Sequence, residues 1–129
     1  MKKLITLFNH SLTDDQTKDA QASLKVREII SIPEDIRRTW GQVPPDLPEI
    51  SDYLAPVRQW LTDSARPGDY VLIHGDFGAS YIMVRFAFES GLVPVYATTQ
   101  RESLETRQPD GTVKKTAVFK HVQFRKYNL

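Results

Sequence analysis

The chain has 129 residues, of which 40% are hydrophobic and 26% are charged, a composition that fits one soluble globular domain over residues 1–129. The absence of cysteine excludes disulfides, thiolate metal sites and cysteine nucleophiles and suits a reducing compartment, so we expect a cytoplasmic protein. A formal net charge of +1 argues against a protein that grips long nucleic acid through many phosphates. In chain order, the first element is KLITLFNH, which turns polar too early for a signal peptide or a membrane span and predicts a strand.

The first half of the chain then predicts short elements that end at polar residues or prolines. Thr13 and Gln16 form a capping box, which predicts the start of a helix. The segment EIISIP predicts a strand, and PEDIRRTWGQV predicts a short helix that ends at Gly41. The rigid connector PPDLPEI leads to a further helix, DYLAPVRQWLTDSA, which Ser51 can cap.

The second half predicts the most buried elements. The segment YVLIHG is a strand with hardly any polar alternation, and ASYIMVRFAFESG is a helix that is apolar nearly all round and stops at Gly91. A strand LVPVYATT follows, and then a hairpin that turns at Pro-Asp-Gly and continues into KHVQFRKY. Strands that alternate with helices predict an α/β fold: a Rossmann-like, mostly parallel sheet with helices on both faces and a C-terminal β-hairpin.

The last quarter of the chain, residues 101–129, is a basic extension of this domain. It carries seven Lys or Arg residues against three Asp or Glu residues, whereas residues 1–100 carry 10 against 13. Such a segment either faces an anion or is a solvated edge strand that its lysines protect from pairing. The sequence leaves both interpretations open.

Polar clusters follow three of the predicted strands. In doubly wound sheets, ligands bind outside the carboxyl ends of the strands, near the point where the strand order reverses. We therefore expect the three clusters to converge on one site. They are Asn9 to Ser11, His74 to Ser80, and Thr98 to Arg101.

The glycine-rich turn HGDFGAS joins a buried strand directly to a buried helix. Gly75 and Gly78 let an anion approach the free amides at the helix start, Ser80 adds a hydroxyl donor, and Asp76 caps the helix or meets a ribose hydroxyl. The same residues also make a tight turn without any ligand. The spacing matches neither GxGxxG nor the Walker A loop, so an NAD or ATP site is not indicated.

The three histidines have different expected roles. His10, beside Ser11, can move protons at neutral pH, although a histidine just after a strand is often only a surface residue. His74 lies inside an apolar strand and is expected to be a satisfied core histidine, and His121 is expected to face solvent or a partner subunit. Their scattered spacing indicates no metal site.

The segments LFNHSLTDDQTKDA, GDYVLIHGDFGASYIMVRFAF, GLVPVYATTQRES and VKKTAVFKHVQFRKY resemble, over almost the whole chain, a small CRISPR-associated protein family of type III systems that belongs with the CARF-like ring nucleases. The resemblance implies a homodimer that binds cyclic tetra-adenylate across its two-fold axis and needs no metal or other cofactor. It implies in-line attack of a ribose 2′-oxygen on the neighbouring phosphorus, which gives linear products with a 2′,3′-cyclic phosphate.

Carried onto this sequence, the resemblance assigns a catalytic set and a binding set. His10 assists proton transfer, Ser11 and the backbone near Gly78 hold a non-bridging oxygen, and Arg101 or a late lysine neutralises charge. Asp76 is the alternative base for the 2′-hydroxyl, although a helix cap is its more ordinary role. The expected ligand contacts are Asn9, Gly75, Phe77, Gly78, Ala79, Ser80, Thr98 and Thr99.

Two other classes of function share these features. A binding protein that sequesters the cyclic nucleotide without cutting it would use the same pocket. A protein-interaction subunit would use the basic C-terminal hairpin instead, and the turn from Gly75 to Ser80 would then be purely structural.

Overall fold

A five-stranded sheet in the order β2-β1-β3-β4-β5 forms the centre of the fold. The computed structural model describes residues 2–129, in which β1 to β4 pair in parallel and β4 pairs with β5 in antiparallel. This confirms the predicted mostly parallel α/β sheet and the C-terminal hairpin. The elements are β1 Lys3–Leu7, α1 Asp14–Asp19, a π-helical turn Ala20–Leu24, β2 Glu28–Ser31, α2 Glu34–Gly41, α3 Ala55–Ser64, β3 Tyr70–Ile73, α4 Phe77–Glu89, β4 Val93–Arg107 and β5 Val113–Lys126.

Successive strand residues point to opposite sides of the sheet, so each strand contributes side chains to both faces. A hydrophobic cluster covers each face. Val71 and Ile73 pack in the larger core together with α2, α3 and α4, around the fully buried Trp40. Leu72 packs on the other face with Ala20, at the start of the π-helical turn. No helix within residues 2–129 is long and apolar enough to cross a membrane.

The helix starts agree with the sequence at two places and differ at a third. Thr13 and Gln16 form the predicted capping box of α1, and Asp76 accepts a hydrogen bond from the Ala79 amide at the start of α4. The predicted cap at Ser51 is wrong. Helix α3 begins at Ala55 with Leu54 as its N-cap, because proline is best placed in the first helical turn.

The last two strands run far beyond the rest of the sheet. Strand β3 ends at Ile73, and the pairing of Leu72 with Val95 shows that β4 passes this level and continues to Arg107. Residues 99–107 and 113–121 with their connecting turn form a two-stranded ribbon, here called the arm. The arm has nine residue pairs and, at about 3.4 Å per residue, is roughly 30 Å long. The turn at Pro-Asp-Gly lies at its tip, as predicted.

A β-bulge marks the base of the arm. Gln123 lies opposite Thr98 and His121 lies opposite Thr99, which leaves Val122 as an extra residue on β5. Bulges bend a strand and increase its twist, so the arm changes direction here. All paired residues of the arm except His121 are exposed.

Candidate functional site

The strand order reverses between β1 and β3. From β1 the chain moves outward to β2 on one side, and from β3 it moves to β4 and β5 on the other. In doubly wound sheets with this order, the crevice outside the carboxyl ends of those two strands is where ligands bind. The His74 amide donates to the Leu7 carbonyl at 3.2 Å, so the two strands remain adjacent at that end. Two of the three predicted clusters, Asn9 to Ser11 and His74 to Ser80, therefore begin side by side.

Three rings lie together at this end of β1 and β3. The Phe8 ring centroid lies 5.3 Å from that of the exposed His10 and 5.5 Å from that of His74. His74 Nε2 accepts a hydrogen bond from the Ala97 amide at 3.0 Å, which places the ring proton of neutral His74 on Nδ1. Burial also lowers the pKa of His74 below its ordinary value. His74 thus has a structural hydrogen bond, but it lies just after β3 and is half-buried, so it is not the core histidine predicted; His10 is the exposed ring of the three.

Gly75 is fixed by its contact with a buried indole. A Cβ on this residue would lie 2.7 Å from ring carbons of Trp40, closer than packed atoms approach. The Trp40 Nε1 donates to the His74 carbonyl at 2.7 Å, which holds the indole against the turn. Glycine is required here by close packing, whether or not a ligand binds. No local pattern predicts this contact, because Trp40 lies 35 positions before Gly75.

The start of α4 is partly capped and partly open. Asp76 Oδ2 accepts from the Ala79 amide at 3.0 Å, which is the ordinary capping role. Within residues 2–129, Asp76 Oδ1 has no partner, and the exposed amides of Gly75, Phe77 and Gly78 have no acceptor. The site therefore offers donors for an anionic oxygen and one acceptor for a hydroxyl group. Ala79 is buried, so its contribution is its amide alone, which Asp76 already occupies.

Asn9 turns toward the protein at the end of β1. Its side chain lies against Gly41, and its Oδ1 is buried without a partner among the described residues. Arg37 Nη1 donates to the Asn9 carbonyl at 3.3 Å, and Arg37 Nε lies 4.0 Å from Glu34 Oε2 but has no hydrogen-bond partner among the described residues. Sequence reasoning missed this arginine, which is a cation at the strand end, because it appeared only as one charge of a short helix.

The third cluster lies within β4 and not after its end. The Thr98 hydroxyl donates to the Gln123 carbonyl and accepts from the Gln123 amide, both at 3.2 Å, so it is used within the bulge. Thr99 and Arg101 lie on the arm, because β4 does not end here as predicted.

The predicted orientation of His121 is wrong. Its side chain is only 5% exposed, and its Nε2 lies 2.7 Å from Asp19 Oδ2. The residue therefore faces α1 and neither solvent nor a partner. No group of His, Asp and Glu residues within 2–129 is arranged to hold a metal ion.

An apolar groove of about 660 Å³ borders the site along α4. Phe77 is 96% exposed and Tyr81 is 63% exposed, so two large rings point outward at the start of the helix. Ser80, half-buried, lies on the same side. The lining residues are His74, Gly75, Phe77, Ser80, Tyr81, Val84, Arg85, Phe88, Tyr127, Asn128 and Leu129.

The strand order and the open helix start define an α/β protein with a mostly parallel sheet, whose strand order reverses beside the start of α4. The chain belongs to the uncharacterized protein MJ1673 family, whose family model matches residues 2–125. It is 47% identical over 128 residues to the uncharacterized protein MJ1673 of Methanocaldococcus jannaschii, in an alignment that covers 99% of this chain and 98% of that protein. No solved structure matches the chain. The names of the family and of this relative state no ligand or reaction.

Proposed function

We propose that this protein is a Rossmann-like ring nuclease of the CARF-like kind, which binds cyclic tetra-adenylate in the crevice between β1 and β3 and cleaves it without a metal. The observation that carries the proposal is the juxtaposition, at the point where the strand order reverses, of Asn9 to Ser11 with the open start of α4. A cyclic oligonucleotide presents phosphates and ribose hydroxyls together. The free amides suit the former, and the free carboxylate oxygen suits the latter.

The phosphate is held at the positive end of α4. The amides of Gly75, Phe77 and Gly78 are exposed and without acceptors within residues 2–129, so they can donate to non-bridging oxygens. Ser11 is exposed at the adjacent strand end and adds a hydroxyl donor. Amides that are already fixed in place stabilise the charge that develops on phosphorus oxygens without reorganising.

Asp76 is the base in this mechanism. Its Oδ2 is engaged with the Ala79 amide, so the carboxylate is fixed while Oδ1 stays free to accept the proton of a ribose 2′-hydroxyl. The 2′-oxygen then forms its bond to phosphorus, the bond from phosphorus to the 5′-oxygen breaks, and a 2′,3′-cyclic phosphate remains. His10, exposed beside the crevice, delivers a proton to the departing 5′-oxygen, and Arg101 neutralises charge from the arm.

A homodimer with the ligand across its two-fold axis is part of the proposal. The stripe of Phe77, Tyr81 and Phe88 along α4 leaves a large apolar surface uncovered, of the kind that marks an interface. Two copies would present each cluster twice to a ligand that itself has two-fold symmetry.

The test is a single-turnover assay with excess protein and cyclic tetra-adenylate, with the products separated by chromatography. Asp76→Asn is the informative variant, because asparagine keeps the N-cap but is no base. We expect it to bind normally and to cleave about 100-fold or more slowly. His10→Ala should slow cleavage less, and chelation of metals should have no effect.

Three outcomes contradict the proposal or parts of it. Intact nucleotide recovered from a tight complex identifies a binding protein that only sequesters its ligand. Full activity of Asp76→Asn removes Asp76 as the base. If cyclic tri-, tetra- and hexa-adenylate all leave the melting temperature unchanged, the crevice is not a nucleotide site.

A further inference from the structure

The arm has one polar side-chain link to the rest of the molecule. Of the side-chain hydrogen bonds and ion pairs in residues 2–129, those of residues 99–121 lie within the arm itself, such as Lys115 with Glu105, except for His121 with Asp19. A two-stranded ribbon alone is at best marginally stable in water. The orientation of the arm therefore depends strongly on the side-chain contacts at its base.

The Asp19–His121 pair is short and shielded from solvent. His121 Nε2 lies 2.7 Å from Asp19 Oδ2, and the two side chains are 5% and 21% exposed. The Ser23 hydroxyl donates to the other Asp19 oxygen at 2.6 Å. Burial acts to raise the pKa of Asp19, but the hydrogen bonds from Ser23 and His121 and the charge of His121 outweigh it and lower the pKa. The carboxylate is thus held from both sides.

This pair lies where the arm leaves the sheet. His121 is opposite Thr99, next to the bulge residue Val122, and its ring packs 4.8 Å from that of the core residue Phe124. Asp19 is the last residue of α1, directly before the π-helical turn. Bulges re-aim a strand, and π-helical turns occur frequently at functional sites. The hydrogen bond between Asp19 and His121 therefore connects the π-helical turn to the β-bulge, although the two residues are 102 positions apart in sequence.

The arm leaves the sheet at the same edge as the crevice. Arg101 and Lys120 lie within two residues of its base and are exposed, and because they belong to successive pairs they project from opposite faces of the ribbon. Between 99 and 121 there are five Lys or Arg residues and three Asp or Glu residues, so the arm is a net positive surface beside the site. A polyanionic ligand in the crevice is attracted to such a surface.

We propose that Asp19 and His121 are positioning residues that fix the arm beside the crevice, so that its basic residues contact the phosphodiester groups of the bound nucleotide. The nature of the ligand rests on the proposed function. The positioning itself does not, because the Asp19–His121 pair is formed by two side chains of this protein alone.

The first measurement is amide hydrogen exchange of the free protein. His121→Leu keeps the packing on Phe124 but loses the link to Asp19, and we expect the amides of the arm strands to exchange about tenfold faster while those of β1 and β3 are unchanged. His121→Gln, whose amide can donate to Asp19, should restore most of the protection. Equal exchange of the arm in the wild type and His121→Leu overturns the proposal.

The second measurement is cleavage of cyclic tetra-adenylate by the same variants. His121→Leu should raise KM about tenfold with less than about a threefold change in kcat, because it displaces binding groups and not the reacting atoms. Lys120→Gln is the matched control, which should raise KM while arm protection stays at the wild-type level. Faster arm exchange with an unchanged KM overturns the proposal, because the arm then does not contact the nucleotide. A wild-type protein that neither binds nor cuts the nucleotide overturns the proposed function, whereas the exchange data still decide the positioning.

Discussion

The amino and carboxyl ends of the parallel strands differ in whether their backbone amides have hydrogen-bond acceptors. At the amino end, the buried Asp69 accepts from the Lys3 amide at 3.0 Å and the Arg66 amide at 2.8 Å, and its carboxylate lies 3.6 Å from Lys3 Nζ. At the carboxyl end, the amides of Gly75 and Phe77 have no acceptor within residues 2–129. A satisfied end holds strands together, whereas an end with free donors is available to a ligand. The difference fits a structural role for the amino edge and the binding role that we propose for the carboxyl edge.

Among the substitutions that test this difference, one at the amino end should cause the largest loss of stability. Asp69→Ala removes the acceptor of two part-buried amides and the carboxylate beside Lys3 Nζ, which keeps only its hydrogen bond to the Ser64 carbonyl, so we expect the free energy of unfolding to fall by about 3 kcal/mol. Urea denaturation measures it. Glu89→Ala is the control, because its ion pair with Arg85 is 3.9 Å long and exposed on both sides and should contribute almost nothing. Equal effects of the two substitutions would contradict the contrast.

At the carboxyl end, two glycines of the same turn should respond differently. Gly75→Ala forces a methyl group to 2.7 Å from the Trp40 ring, so we expect a loss of about 2 kcal/mol from overpacking. Gly78→Ala meets its nearest neighbours, on Asp76 and Ile50, at an ordinary 3.5 Å and should change stability by less than about 0.5 kcal/mol. Thermal unfolding of both variants checks this. A larger loss of stability for Gly78→Ala would show that the start of α4, and not the contact with the Trp40 ring, makes glycine necessary in this turn.

Sequence reasoning succeeded where one short segment carries its own signal. The capping box of Thr13 and Gln16 and the turn at Pro-Asp-Gly are local patterns, and both are present in the structure. The strands and helices also alternate as the apolar runs predicted, so two clusters, at Asn9 and at His74, fall at adjacent strand ends. Such positions follow from the topology alone.

It failed where residues far apart in sequence decide the structure. The polar run from Thr98 to Arg101 was interpreted as a strand end, because an exposed ribbon shows no buried face to extend the pattern. The contact of Gly75 with Trp40 and the pairing of His121 with Asp19 join distant segments and leave no local trace. The start of α3 was placed too early, because Ser51 is a good cap in isolation but tertiary packing begins the helix at Ala55.

The smallest expected effect is a pH dependence that His74 adds at the carboxyl end. Because burial lowers its pKa from 6.5, the unfolded chain takes up a proton before the folded protein does. The stability that neutral His74 contributes is therefore complete above about pH 7 and declines as the pH falls through 6.5 toward the lower pKa of the folded state. In His74→Gln, whose carbonyl can still accept from the Ala97 amide, the decline between pH 7 and pH 5 should be shallower. Urea denaturation across this range measures both slopes. Asp19 does not interfere, since its pKa lies below 3.8. Identical slopes would mean that His74 is as accessible to protons in the folded protein as in the unfolded chain, and the carboxyl edge would then be more open than its hydrogen bonds indicate.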